Sequence, residues 1–166
     1  MRKLISVVLL LMTITSYSQE VFDYAFDENI SLNVLVDTEE GELPYGKYIR
    51  GVFENEVVTF SSSTKAKDML ATADETSLLK LFQGVRDGNL KATKGVLISE
   101  EIINLQQIKV AKFKISCTLE SKNKIIESYV FAYKNIVYTF QFMNNDNESE
   151  KLNNFRKSII DSVQFN

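Results

Sequence analysis

The sequence predicts an α+β fold, an antiparallel β-sheet meander with two amphipathic helices packed on it. Three observations predict it. Residues 111–120 alternate strictly, with Ala111, Phe113, Ile115, Cys117 and Leu119 set against Lys112, Lys114, Ser116, Thr118 and Glu120, which is the period of a strand with one dry face and one wet face. Leu78, Leu79, Phe82, Val85 and Leu90 instead recur near the helical period and form one apolar stripe. Short β-type runs separated by turn residues occupy most of the remaining chain, and helices layered on a sheet bury both patterns together.

The elements follow in order. Arg2 and Lys3 precede an apolar run from Leu4 to Ile14 and a small polar stretch from Thr15 to Ser18. This is the order of a secretory signal, with small Ser16 and Ser18 where a signal peptidase reads the chain. The apolar run falls well short of the roughly 20 residues a spanning helix needs. Cleavage after Ser18 is expected, leaving 19–166 as a single domain in the periplasm or outside the cell, without a stable membrane span. A lipoprotein would carry a cysteine just after the apolar run, whereas the sole cysteine is Cys117.

Strands are expected at Ile30–Val36, Lys47–Phe53 and Val57–Ser62, with Glu54-Asn55 as a hairpin turn and Glu39 to Pro44 as a loop. Thr72 and Glu75 have capping-box spacing, so a helix is expected to start there and to end near Gly88 or shortly after. Strands at Ala111–Glu120, Ile125–Tyr133 and Ile136–Phe142 are joined by turns at Ser121–Lys124 and Lys134-Asn135. Asn144–Asn147 breaks the sheet, and Asn147 with Glu150 is placed to cap a last helix bearing Leu152, Phe155 and Ile159. Ser162–Phe165 closes the chain as a short strand.

Composition excludes several function classes. The net charge is −3, and loss of the leader with Arg2 and Lys3 takes it to −5, so the domain has no general attraction for phosphate backbones and nucleic acid is not an expected partner. A domain of this size buries about 68–70% of its unfolded surface, enough for a core without staples. The chain has no histidine, which removes Ser-His and Cys-His nucleophile pairs, His metal ligands and the usual neutral-pH proton shuttle.

What chemistry remains is thin. Ser62-Ser63-Thr64-Lys65 fits a bare S-x-x-K pattern, in which Ser62 would be the nucleophile of a hydrolase and Lys65 its base, but S-D-N and K-T-G are absent. Cys117 alternates with Phe113, Ile115 and Leu119 and reads as core, where a thiol is inert. Acids gather at Asp37, Glu39, Glu40 and Glu42 and at Asp146, Glu148 and Glu150, without the spacing that wraps a loop around calcium. No Gly-rich phosphate loop occurs, and no metal or other cofactor is expected. Tyr129, Phe131, Tyr138 and Phe140 would lie side by side on neighbouring strands, as core or as the lining for a small apolar ligand.

Six stretches carry a family resemblance. They are Gly84-Val85-Arg86-Asp87-Gly88, Lys94 through Glu101, Lys112-Phe113-Lys114-Ile115, the pair Tyr129-Val130-Phe131 and Ile136 through Phe140, and Phe155 through Phe165. In this order, from about residue 75 to the end, the chain resembles small exported bacterial domains of the PsbP-like and DcrB-like type. Similar sequences usually place Pro-Gly before the strand that begins here at Ala111, and this chain has Ile108-Lys109-Val110 instead. The resemblance implies a helix-and-sheet sandwich and an accessory or binding module without a shared catalytic motif. The expectation is therefore a non-enzymatic module that contacts another envelope protein, with Lys112, Lys114, Ser116, Thr118 and Glu120 as the exposed contact face opposite the helices. A carrier lined by Tyr129, Phe131, Tyr138 and Phe140 is the alternative.

Overall fold

The computed structural model describes residues 21–145 and 148–166, so the expected leader and cleavage after Ser18 lie outside the described residues. Among the described residues, ten strands form two antiparallel sheets. The large sheet has the order β3-β4-β5-β9-β8-β7-β6, comprising Glu39–Leu43, Gly46–Phe53, Glu56–Ser63, Ile136–Asn144, Lys122–Tyr133, Ile108–Leu119 and Val96–Leu105. The small sheet pairs β1 (Val21–Ala25), β2 (Ile30–Leu35) and β10 (Gln164–Phe165). Three helices accompany them: a single turn α1 (Lys67–Leu70), the long α2 (Glu75–Thr93) and α3 (Glu150–Asp161). The expected α+β architecture is present, with more strands than the alternation reveals.

Hairpin turns set the register. Glu120 and Ser121 between β7 and β8, and Lys134 and Asn135 between β8 and β9, all have positive φ, the backbone hand that matches the twist of a two-residue hairpin. Glu120 therefore lies in the turn and not in the strand. The expected loop at Glu39–Leu43 is strand β3, paired with β4 from Glu39 opposite Arg50 to Leu43 opposite Gly46. Gly46 is required there, because a Cβ would come 2.0 Å from the carbonyl oxygen of Ser62.

Both helices start elsewhere than expected. Asp74, not Thr72, caps α2, its Oδ1 accepting from the Ser77 amide at 2.8 Å. The helix runs through Gly88 and stops only where Lys94 turns left-handed with φ 49°. Ser149 caps α3, its Oγ accepting from the Leu152 amide at 3.2 Å, while Asn147 lies outside the described residues. Asp and Ser are as good at an N-cap as Thr and Asn, so composition alone did not discriminate.

The two long helices cover opposite faces of the large sheet. On one face Phe82 of α2 packs with Ala111, Phe113, Ile115, Val130 and Val137. On the other, the small sheet and α3 enclose an aromatic core that includes Phe26, Phe60, Phe131, Tyr138, Phe140 and Phe155. Phe53 and Phe155 stack at 3.9 Å between ring centroids and seat α3 on β4. The face of β7 carrying Lys112 and Lys114 is therefore no open face opposite the helices, because α3 lies along it. This corrects the expected contact surface.

Candidate functional site

The lysine face of β7 builds a cleft with α3. Register places Lys114 directly opposite Glu127, Lys112 opposite Tyr129, and Glu101 of β6 opposite Lys112. Across this row lies α3, whose apolar stripe Leu152, Phe155, Ile159 and Ile160 is interrupted by a buried Arg156. Glu101, Lys112, Lys114, Glu127, Tyr129, Glu148 and Arg156 line the resulting cleft of about 490 Å³.

Arg156 is the hub. Its side chain is 2% exposed, and Nε and Nη2 both donate to Glu56 Oε2, the former at 2.8 Å. Nη1 donates to Glu127 Oε2 at 3.3 Å and to Glu148 Oε1 at 3.5 Å. Lys114 Nζ donates to Glu148 Oε1 at 2.7 Å and lies 3.3 Å from Glu127 Oε2. Lys112 Nζ sits 3.3 Å from Glu101 and 3.8 Å from Glu127, and 5.5 Å from the Tyr129 ring centroid. The Tyr129 hydroxyl donates to Glu127 Oε1 at 2.5 Å.

Burial and charge pull the ionisable groups in different directions. Burial pushes the Glu56 carboxyl above its usual range, and the hydrogen bonds and charge of Arg156 offset this only in part. Burial works against the positive charge of Arg156, yet Glu56, Glu127 and Glu148 hold its pKa above the ordinary value. The hydrogen bond from Lys114 lowers Glu148 despite its partial burial. Burial, followed by the bond to Glu127, pushes the Tyr129 hydroxyl up. Glu56, Glu127 and Glu148 are thus matched by Arg156, Lys114 and Lys112, and the set works as an ionic strap joining α3 to β5, β7 and β8.

The residues anticipated from sequence divide sharply. Lys112, Lys114 and Ser116 are half-buried, with both lysines tied into the strap, while Thr118 and Glu120 are exposed at the far end of β7. Tyr129, Phe131, Tyr138 and Phe140 are all buried in the aromatic core. Phe131 stacks on Tyr138 at 5.4 Å, and Tyr138 donates to Asp27 Oδ2 at 2.9 Å. The void beside Phe60, Phe140 and Phe155 measures about 20 Å³, a water's worth of space and far below the several hundred Å³ of a ligand pocket. Phe131, Tyr138 and Phe140 fill one another's space, which corrects the lining expectation for these three, while Tyr129 turns its edge to the cleft beneath α3.

Ser62 is buried in β5, where its Oγ accepts from the Lys47 amide at 3.4 Å, whereas Lys65 is exposed in the turn that follows. The fold does not bring them together as nucleophile and base. Cys117 is buried, and that burial raises its thiol pKa. Glu56, Glu127 and Arg156, the centre of the strap, were missed. A signal existed: Glu127 occupies an inward position between Ile125 and Tyr129, and Arg156 stands midway between Leu152 and Ile160 on one helix face.

A second feature lies at the margin of the same sheet. Among the described residues, strand β6 is an edge, paired only with β7. Three of its apolar residues are exposed, Val96 at 70%, Ile98 at 53% and Ile102 at 46%, while Ile103 and Leu105 pack against the aromatic core. The opposite edge, β3, is short and acidic with Pro44 at its end, the kind of edge that resists further pairing. A bulge interrupts β6 between Leu97 and Ser99, after which the register is regular to Leu105. Glu100 and Glu101 stand in this regular stretch, held by Arg86 and Lys112 respectively.

No family model matches the chain, and no curated protein matches it in sequence. Solved structures do. Cyanobacterial PsbP (CyanoP) from Synechocystis is similar with a TM-score of 0.66 at 9% identity, over 92% of this chain and 96% of that one. LpqN of Mycobacterium tuberculosis, described as involved in cell envelope biogenesis, matches with a TM-score of 0.53 at 17% identity, covering 88% and 90%. A Bacteroides thetaiotaomicron protein matches at 0.52 with 13% identity over 82% of this chain. The chain spans 45% of that protein's length. The fold is PsbP-like.

Proposed function

We propose that this PsbP-like chain is an exported, non-catalytic module that works by binding another protein of the cell envelope. The observation that carries the reading is the division of labour in the large sheet. The ionisable side chains of the cleft are engaged with one another in holding α3, while the long apolar edge of β6 is left open to a partner. Such an edge is a surface that proteins use for recognition. The description of LpqN as a protein of cell envelope biogenesis agrees with an extracytoplasmic setting. So does the leader pattern of residues 1–18, and among the described residues no helix is long and apolar enough to cross a membrane.

Two measurements test this. Fractionation of cells expressing the full chain should place a product shortened by the leader outside the cytoplasm, with its first residue at Gln19 by N-terminal sequencing. Cross-linking in that fraction, followed by mass spectrometry, should then yield one protein partner in near-equal amount. A product of full length retained in the cytoplasm, or turnover of acyl substrates abolished by Ser62→Ala, would defeat the reading.

A further inference from the structure

We propose that β6 takes up an extended segment of the partner as an eighth strand, and that this segment is apolar with a basic residue pair at its centre. The inference rests on the binding-module reading and names what the partner must look like. An edge strand leaves one row of backbone N–H and C=O groups outside the sheet's own ladder, which an incoming strand satisfies with main-chain hydrogen bonds. The regular stretch from Ser99 to Leu105 supplies seven residues in unbroken register. Ile102 and, beyond the bulge, Ile98 and Val96 give the incoming strand apolar neighbours.

Charge selects the occupant. Register with β7 puts Glu100 on the side of α2, where it meets Arg86, and Glu101 on the opposite side, where it meets Lys112 at 3.3 Å. A strand carrying two consecutive basic residues presents one cation to each side, as cross-strand pairing favours. The Glu101 side chain is 57% exposed, and an exposed pair such as Glu101 with Lys112 is held weakly enough to accept a new cation. A second copy of this chain is the poorer occupant, because its own β6 brings two further glutamates into the seam.

The probe is a fluorescein-labelled peptide, Val-Thr-Val-Lys-Arg-Val-Thr-Val, titrated against the purified protein by fluorescence anisotropy. Three further peptides replace Lys-Arg by Glu-Glu or carry N-methyl groups on one or the other alternate set of residues. The basic peptide should bind at least about tenfold tighter than the acidic one. One N-methylated set should abolish binding and the other should leave it, since only alternate amides face β6. In Glu100→Lys/Glu101→Lys, with folding verified by circular dichroism, the preference should reverse toward the acidic peptide.

Equal affinity for both N-methylated sets, no binding by the basic peptide up to millimolar concentration, or an unchanged preference in the variant would overturn the edge proposal. So would a dimer in light scattering that the same variant dissociates, since β6 would then belong to a second copy. A cross-linked envelope partner retained by the variant would sink the edge and leave the binding-module reading standing. Peptide binding without any envelope partner would do the reverse.

Discussion

Replacing Arg156 by Met removes the cation at the centre of the strap and keeps most of its volume. Three carboxylates lose a donor, but not equally. Glu127 and Glu148 keep Lys114, at 3.3 Å and 2.7 Å, so their charges remain compensated. Glu56 has no such reserve: its side chain is 0% exposed, Arg156 supplies its hydrogen bonds to Oε2, and Oε1 has no partner among the described residues. Breaking a buried pair from one side costs about 3–5 kcal/mol. At about 2–4 °C per kcal/mol for a domain near 150 residues, the melting temperature should fall by about 6–20 °C. Removing both charges in Arg156→Met/Glu56→Leu should recover most of the loss, because no uncompensated ion remains. With seven tyrosines and no tryptophan in the chain, urea titrations followed by far-UV circular dichroism are the suitable assay. A cost for Arg156→Met near that of an exposed pair, below about 1 kcal/mol, would refute the burial reasoning. So would a double variant no more stable than the single one.

Other substitutions probe separate parts of the structure. Glu148→Gln removes a carboxylate whose pKa is lowered by Lys114; the stability it contributes is present above the usual carboxylate pKa. The gap between wild type and variant should therefore close as urea titrations are taken down in pH through the folded value. Glu56→Gln should show the opposite slope. Burial raises Glu56, so the native state holds the proton more tightly, and wild type should lose stability relative to the variant as pH rises from about 4.5. Asp74→Ala should cost about 1 kcal/mol as a lost N-cap, with Thr72→Ala nearly silent; the reverse order in thermal melts would restore the cap to Thr72. Cys117 should react with a thiol-specific chromogenic reagent only as the domain unfolds, since it is buried and its thiol pKa is raised. Rapid labelling in native buffer would contradict that placement.

The middle strands were legible because β7 and β9 set their large apolar residues on alternate positions, while β8, buried on both faces from Ile125 to Phe131, lies between two clear turns. β7, β8 and β9 announce themselves through Phe113, Ile115, Phe131, Tyr138 and Phe140, all buried. The edges lack that signal for a physical reason. β3 has no apolar alternation, being Glu-Glu-Gly-Glu-Leu, and is held by pairing with β4 and the turn at Pro44. The covering of both sheet faces was equally hidden, since a wet row such as Lys112 and Lys114 looks the same in sequence whether it meets water or a helix bearing Arg156. Only the charges at inward positions, Glu56, Glu127 and Arg156, carried word of the strap, and each alone reads as an exception rather than as part of a set.

The strap and the edge explain each other's placement. An all-apolar seam beneath α3 would have supplied comparable stability, because buried ion pairs seldom exceed hydrophobic replacements in worth. What the ionic seam adds is orientation: a guanidinium that must meet Glu56 on β5 and Glu127 on β8 accepts α3 in one rotation only. With α3 set in this way, Lys114 is drawn toward Glu148 and Lys112 is left between Glu127 and Glu101. Lys112 thus links the buried strap to the β6 edge, and the charge that an incoming strand meets at Glu101 depends on it. A strand with a basic centre would release Lys112 toward Glu127, while an acidic one would meet the like charge of Glu101, so the sheet interior bears on the sign of the partner its margin accepts.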